Sequence, residues 1–144
     1  MFIVNVEGAI YHKGKWLLIK RSEKEEHAAG ALSLVGGKVD PSEGTSSNIL
    51  ERTLIREIFE EVGIKVKVRS YVNSSSFISD SGKHVVDIVF LCDYESGDAF
   101  AKSPDEVDEV VWMTSEEITN DTMLAGYLRE NMKLAEEIEK ATHE

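Results

Sequence analysis

The run Val85-Val86-Asp87-Ile88-Val89-Phe90-Leu91-Cys92 is apolar at every position but one and rich in β-branched residues. Such a stretch reads as a strand, continuing to Tyr94, that is central in its sheet. A sheet of this kind needs covering layers, and two amphipathic helices are available to supply them. The first follows Asp40-Pro41-Ser42-Glu43-Gly44-Thr45-Ser46-Ser47, the densest group of turn formers in the chain. Asn48 is placed to cap it, with Glu51 completing a capping-box spacing. Leu54, Ile55, Ile58 and Val62 recur at helical spacing, and Gly63 suits the left-handed cap at its end. The second spans about Thr122 to Ala141, with Leu124, Leu128, Met132, Ala135 and Ile138 on its inner stripe.

The other strands surround these elements. Phe2 to Ile10 predicts a strand with Gly8 as a bulge, followed by a turn at His12-Lys13-Gly14-Lys15 and a hairpin partner at Trp16 to Lys20. Arg21 to Gly30 is charged and loop-like; a short strand through Leu32, Leu34 and Val35 ends at Gly36-Gly37. Ile64 to Val72 alternates apolar with basic residues, as a half-buried strand does. Asn73 to Ser76 and Ser79 to Gly82 read as loops or strand ends, Glu109 to Met113 as a strand, and Ser115-Glu116-Glu117 as a short helical turn. Strands alternating with two substantial helices predict an α/β or α+β sandwich.

At 144 residues, 42% hydrophobic and 30% charged, the chain predicts one domain, 1–144, with a core of useful size. Its 27 acidic against 16 basic residues give a net charge of -11, which disfavours a broad nucleic-acid or anionic-membrane footprint. The acidity fits a solubilising surface, or carboxylates gathered around cations. Cys92 is the single cysteine, so no intrachain disulfide forms, and its apolar strand makes it a small buried hydrophobe. Met1 to Glu7 lacks the marks of a signal peptide, and no apolar run is long enough to cross a bilayer, so a cytoplasmic location is expected.

The chemistry concentrates on the first helix. Glu57, Glu60 and Glu61 fall within an arc of roughly 100°, beside the apolar stripe, so that packing of the stripe is expected to leave all three carboxylates pointing away from the core. Three like charges this close repel, and Arg56 alone does not balance them. A Glu-rich solvated face is one reading; a site for a hard divalent cation with oxygen ligands is the other. Gly36-Gly37 is a plain tight turn, or a place where backbone comes close to a metal or phosphate. The four histidines, His12, His27, His84 and His143, show no metal-ligand spacing, and neither a Gly-x-Ser-x-Gly elbow nor a phosphate-cradling Gly-x-x-x-x-Gly-Lys run is present. Trp16 and Trp112 fit the core better than a base-stacking role.

These residues resemble the Nudix hydrolases, whose box reads Gly-x5-Glu-x7-Arg-Glu-U-x-Glu-Glu-x-Gly-U, with U a bulky aliphatic residue. Gly37 is followed after five residues by Glu43, and Arg56-Glu57-Ile58-Phe59-Glu60-Glu61-Val62-Gly63-Ile64 matches every specified position of the second half. Two departures stand out. Twelve residues (44 to 55) separate Glu43 from Arg56, five more than the family's seven, and Val35 stands where many relatives have proline. The resemblance implies an α/β/α sandwich with a mixed sheet between helices, and Mg²⁺-dependent (or Mn²⁺-dependent) hydrolysis of a pyrophosphate linkage in a nucleoside diphosphate derivative.

By the same resemblance Gly36, Glu57, Glu60 and Glu61 hold the metal, and Arg56 orients Glu57. Arg21, Gly37 and Lys38 meet substrate, although Arg21 also reads as an ordinary strand-end charge. The first-glutamate role falls to Glu43 or is shared with Glu51. The proton acceptor is Glu57, or one of Asp105, Glu106, Asp108 and Glu109, with Glu106 and Glu109 the foremost of that later group. The expected partner is a small nucleotide, with nucleoside triphosphates favoured because the chain is minimal; a homodimer, common among relatives, is compatible with the apolar strands. The rival expectation is a Nudix-fold nucleotide sensor without turnover, for which the insertion is the main argument.

Overall fold

A computed structural model describes residues 1–25, 27–45 and 47–142. Glu26 of the expected loop, Ser46 of the expected turn cluster and His143 lie outside the described residues. Seven strands form one sheet: β1 (Ile3–His12), β2 (Lys15–Arg21), β3 (Leu32–Ser33), β4 (Val35–Lys38), β5 (Lys65–Ile78), β6 (His84–Ser96) and β7 (Val107–Met113). Among the described residues three α-helices accompany them, α1 (Ile49–Val62), α2 (Ser115–Asn120) and α3 (Gly126–Thr142). The expected mixed sandwich of helices and sheet is the fold observed. Among the described residues no helix is long and apolar enough to cross a membrane.

β6 is central as its apolar run requires: it pairs in parallel with β1 from Ile3↔Val85 to Tyr11↔Asp93, and antiparallel with β5 on its other side. β1 then changes partner along its length. Its end joins β2 through a tight hairpin in which Lys13 and Gly14 both take positive φ, the twist-compatible turn. Its first half pairs instead with β4, from Asn5↔Lys38 to Gly8↔Val35. β2 meanwhile pairs with β3 and β7. The sheet therefore splits beside β1, and a cavity lies in that split.

Alternation along the strands sorts side chains to two cores. Leu54, Ile58 and Val62 of α1, all fully buried, pack on Val6, Ile10, Leu17 and Ile19. On the opposite face Leu128, Met132 and Ala135 of α3 cover Ala9, Trp16, Leu18 and Leu91. Cys92 is buried as expected, and burial, then the neighbouring Asp93, pushes its thiol pKa up to about 12.

Several local expectations are corrected. Gly8 is no bulge: its pairing with β6 is regular, and a Cβ there would lie 3.0 Å from Ile58 Cδ1, so glycine lets α1 press onto β1. Asn48 precedes α1 in a left-handed conformation and makes no side-chain cap, whereas a capping side chain works from extended backbone. A capping box forms instead at α2, between Thr114 and Glu117. Gly36 and Gly37 lie inside β4 and not at a turn. Asn73 to Ser76 belong to β5, because the ladder to β6 overrides the weak strand propensity of serine. α3 begins at Gly126, with Leu124 buried ahead of it. Gly63 takes the left-handed cap as expected (φ 74°).

Candidate active site

Core packing sets the rotation of α1, and the rotation decides which glutamates turn inward. Glu57 and Glu61, one turn apart, face β4, and Glu61 is only 4% exposed. This differs from the expectation that all three carboxylates point away from the core. Glu106 reaches the same point from the segment ahead of β7. That segment is anchored by Lys102 N–H donating to Glu61 O at 3.0 Å and by Ser22 N–H donating to Glu106 O at 3.0 Å. Carboxylate oxygens of Glu57, Glu61 and Glu106 all lie within 4.8 Å of one another.

The two glycines make this convergence possible. A Cβ on Gly37 would sit 2.5 Å from Glu57 Cδ, and one on Gly36 would strike Val6 O at 1.9 Å. Neither has a positive φ; the requirement is space, with α1 above and β1 beside them.

Burial and mutual repulsion, only partly offset by Arg56 and Arg21, disfavour ionisation of the cluster. Desolvation, then Glu106 and Glu57, push the Glu61 pKa up to about 10, and the Glu61 carboxyl hydrogen-bonds Glu57. Desolvation also raises Glu57, against the pull of Glu61's hydrogen bond and of Arg56. Glu106 is raised by desolvation and then by Glu57. The site is short of positive charge.

Arg56 occupies the outer flank. It pairs with Glu43, with Glu60 at 3.0 Å and with Glu57 at 3.3 Å. Desolvation opposes its charge, and the hydrogen bonds to Glu43 and Glu60 outweigh that and hold its pKa above the ordinary value. Glu43 ends a 3-10 turn, Pro41–Glu43, capped by Asp40, so it meets Arg56 despite the five extra residues. Glu51 sits in the first turn of α1, away from the cavity lining. Glu60 stands apart from the inner cluster, its side chain 57% exposed and turned to Arg56.

The cluster opens into a cavity of about 630 Å³ in the split beside β1, reached also by Arg21, Gly36, Gly37 and Lys38. Arg21 is held at its rim, Nε donating to His27 O at 2.9 Å and Nη2 meeting Glu25 at 3.3 Å. His27 stacks on Phe77 (5.0 Å between centroids) and accepts a hydrogen bond from Asp80 N–H, roofing the cavity with loop and hairpin. Of the four acids near β7 the structure brings in Glu106 alone: Asp105 pairs with Lys24, Asp108 with Lys20, and Glu109 is exposed and off the cavity. Trp16 is buried, as expected, with Nε1 donating to Ser115 Oγ at 3.0 Å; Trp112 packs against the α1-side core.

Sequence reasoning passed over Asn5, Glu7, Asp87 and Tyr127, which also line the cavity. A signal existed: Asp87 interrupts the apolar run, and Asn5 and Glu7 alternate along β1.

This chain is similar to known proteins in sequence and in fold. The model of the NUDIX domain matches residues 2–134. The ADP-ribose pyrophosphatase of Methanocaldococcus jannaschii is 37% identical over 107 residues, covering 74% of this chain and 58% of that protein. The NAD-capped RNA hydrolase NudC of Chromobacterium violaceum is 32% identical over 103 residues, covering 72% of this chain and 35% of that one. The chain thus spans less than two thirds of the length of either relative. The crystal structure of a MutT protein from Methanosarcina mazei Go1 superposes with a TM-score of 0.81 at 31% identity, covering 96% of each chain. With Gly37, Glu57 and Glu61 of the box lining one cavity and the NUDIX model matching residues 2–134 of the 144, this chain belongs to the Nudix family.

Proposed function

We propose that this protein hydrolyses a pyrophosphate linkage in a nucleoside diphosphate derivative with the aid of a divalent cation, Mg²⁺ or Mn²⁺. The observation that carries the reading is the meeting of Glu57, Glu61 and Glu106 at the glycine-walled end of a cavity. The donor set fits a hard cation: it offers only oxygen, and buried carboxylates repel one another until a positive charge joins them. Glu57 and Glu61 would hold the ion, with Glu60 and the Gly36 carbonyl as the further expected donors. When bound, the cation neutralises the diphosphate and lowers the pKa of water.

The chain's own residues do the rest. Arg21 and Lys38 flank the cavity as cations for the phosphate oxygens. Arg56, tied to Glu43 and Glu57, positions Glu57 rather than touching substrate. Glu106 faces the helix carboxylates from a separate segment, where a base can meet the attacking water, and desolvation and then Glu57 raise its pKa. It takes the proton of the attacking water; a new P–O bond forms, the bridging P–O bond breaks, and the leaving phosphate carries the electron pair away.

The shared element in the substrates named for the two relatives is a nucleoside diphosphate, which supports that class here. Nucleoside triphosphates are the preferred members in our reading. The rival sensor reading drew on the insertion, yet Glu43 still reaches Arg56 across it. Phosphate and pyrophosphate release on a panel of nucleoside triphosphates, ADP-ribose and nucleotide sugars with Mg²⁺ or Mn²⁺ tests the proposal. Metal-dependent release from at least one is expected; tight nucleotide binding with no turnover on any would establish the sensor instead.

A further inference from the structure

The hydrolytic chemistry leaves one polar patch of the cavity unused. Asn5 and Glu7 share a face of β1, and Asp87 lies beside Asn5 on β6, in the register Asn5↔Asp87. Asp87 is only 3% exposed amid apolar neighbours, a costly position for a carboxylate that serves packing alone. Asn5 Nδ2 donates to Asp87 Oδ1 at 2.7 Å, and burial, then the neighbouring Asp87, raises the Glu7 pKa. A carboxylate offers about four accepting positions, so Asp87 keeps accepting positions beyond the one Asn5 fills. All three side chains line the cavity. Tyr127, at the start of α3, presents a half-exposed ring at the same cavity. Oriented acceptors on a buried edge beside an aromatic face are the parts needed to hold a flat heterocycle.

We infer that Asn5, Glu7, Asp87 and Tyr127 form the base-recognition end of the site and select a nucleobase with adjacent N–H donors, guanine above all. The inference rests on the nucleotide reading given above. Guanine presents a ring N–H and an exocyclic amino group side by side, two parallel donors matched to one carboxylate. Uracil presents a single N–H between two carbonyls, which would set oxygen against oxygen. Tyr127 covers the ring face, so that the acceptors alone discriminate between bases.

Titration calorimetry with GMP, IMP and UMP in Mg²⁺ buffer tests this without any hydrolysis, since a monophosphate has no pyrophosphate bond to break. GMP should bind about tenfold or more tighter than UMP, the scale of a hydrogen bond to a charged group, with IMP between them because it lacks the amino group. Asp87→Asn, which puts an N–H₂ donor among the acceptors, should abolish the GMP advantage, and Glu7→Gln should reduce it. Equal affinities for GMP and UMP in the unsubstituted protein, or no binding of any of the three, overturns the inference even if Asp87→Asn fails to fold. Selective GMP binding without turnover of any nucleotide on the panel would sustain the inference and reject the hydrolytic reading; turnover indifferent to the base would do the reverse.

Discussion

Glu61 is buried on the inner side of α1, and its folded pKa of about 10 lies far above an ordinary carboxylate value. The sign of the consequence follows from proton linkage. Between pH 4.5, where the unfolded side chain ionises, and about 10, the metal-free folded state holds more protons. Metal-free stability should therefore fall as pH rises through that window. Glu61→Gln removes the ionisation, so in EDTA at about pH 8 its melting temperature should exceed that of the unsubstituted protein, and the gap should close near pH 5. A variant that melts lower throughout the range would show that the carboxyl is well accommodated when charged. The same substitution should reduce kcat by about two orders of magnitude or more, since loss of even an outer partner of a metal ligand costs about 10–100-fold; unchanged turnover would remove Glu61 from the metal set. Arg56→Lys keeps the charge but loses the planar fork that meets Glu43, Glu60 and Glu57 together. A smaller, roughly tenfold loss of kcat/KM is expected there, with the pH profile shifted as Glu57 loses its restraint.

Among the elements, α1 and β4 act as a pair. Gly37→Ala would place a methyl group 2.5 Å from Glu57 Cδ, so the side chain must move while the strand remains. Metal affinity, followed by Mn²⁺ binding in electron paramagnetic resonance, should drop about tenfold or more, with cooperative melting preserved. Retained affinity would mean that the tight fit over Gly37 does not position Glu57. At the other end of α1, Gly63→Ala meets two obstacles at once: a positive φ of 74° and Phe100 Cε1 at 2.6 Å. It should destabilise the fold by about 1–2 kcal/mol in urea titration, and alter turnover little once the chain is folded.

At the scale of the whole molecule, the cavity is an assembly of five segments: β4 at Gly36-Gly37, α1 at Glu57 and Glu61, the turn at Glu106, β1 at Asn5 and Glu7, and β6 at Asp87. A cation that binds only this assembly must stabilise the fold by mass action, about 2.7 kcal/mol at a hundredfold excess over its dissociation constant. Mg²⁺ should raise the melting temperature of the unsubstituted protein and leave that of a Glu57→Gln, Glu61→Gln double variant nearly unmoved. An equal rise in both would locate cation binding elsewhere on the acidic surface. The helix stripe, the central strand, the Gly63 cap and the box motif were all legible in the chain, because each depends on neighbours within a few turns or on alternation along one element. The strand character of Asn73 to Ser76 and the packing role of Gly8 were not, since each is decided by a segment distant in the chain, β6 for the first and α1 for the second. In the site, helical spacing put Glu57, Glu60 and Glu61 on one flank, but only docking on β4 buried Glu61, joined it to Glu106 and left Glu60 with Arg56. The chain by itself determined which carboxylates could share a helix face, a matter of residues per turn. Which of them meet, and what floor they face, was decided by the tertiary structure, where burial and long-range pairing set both distance and charge.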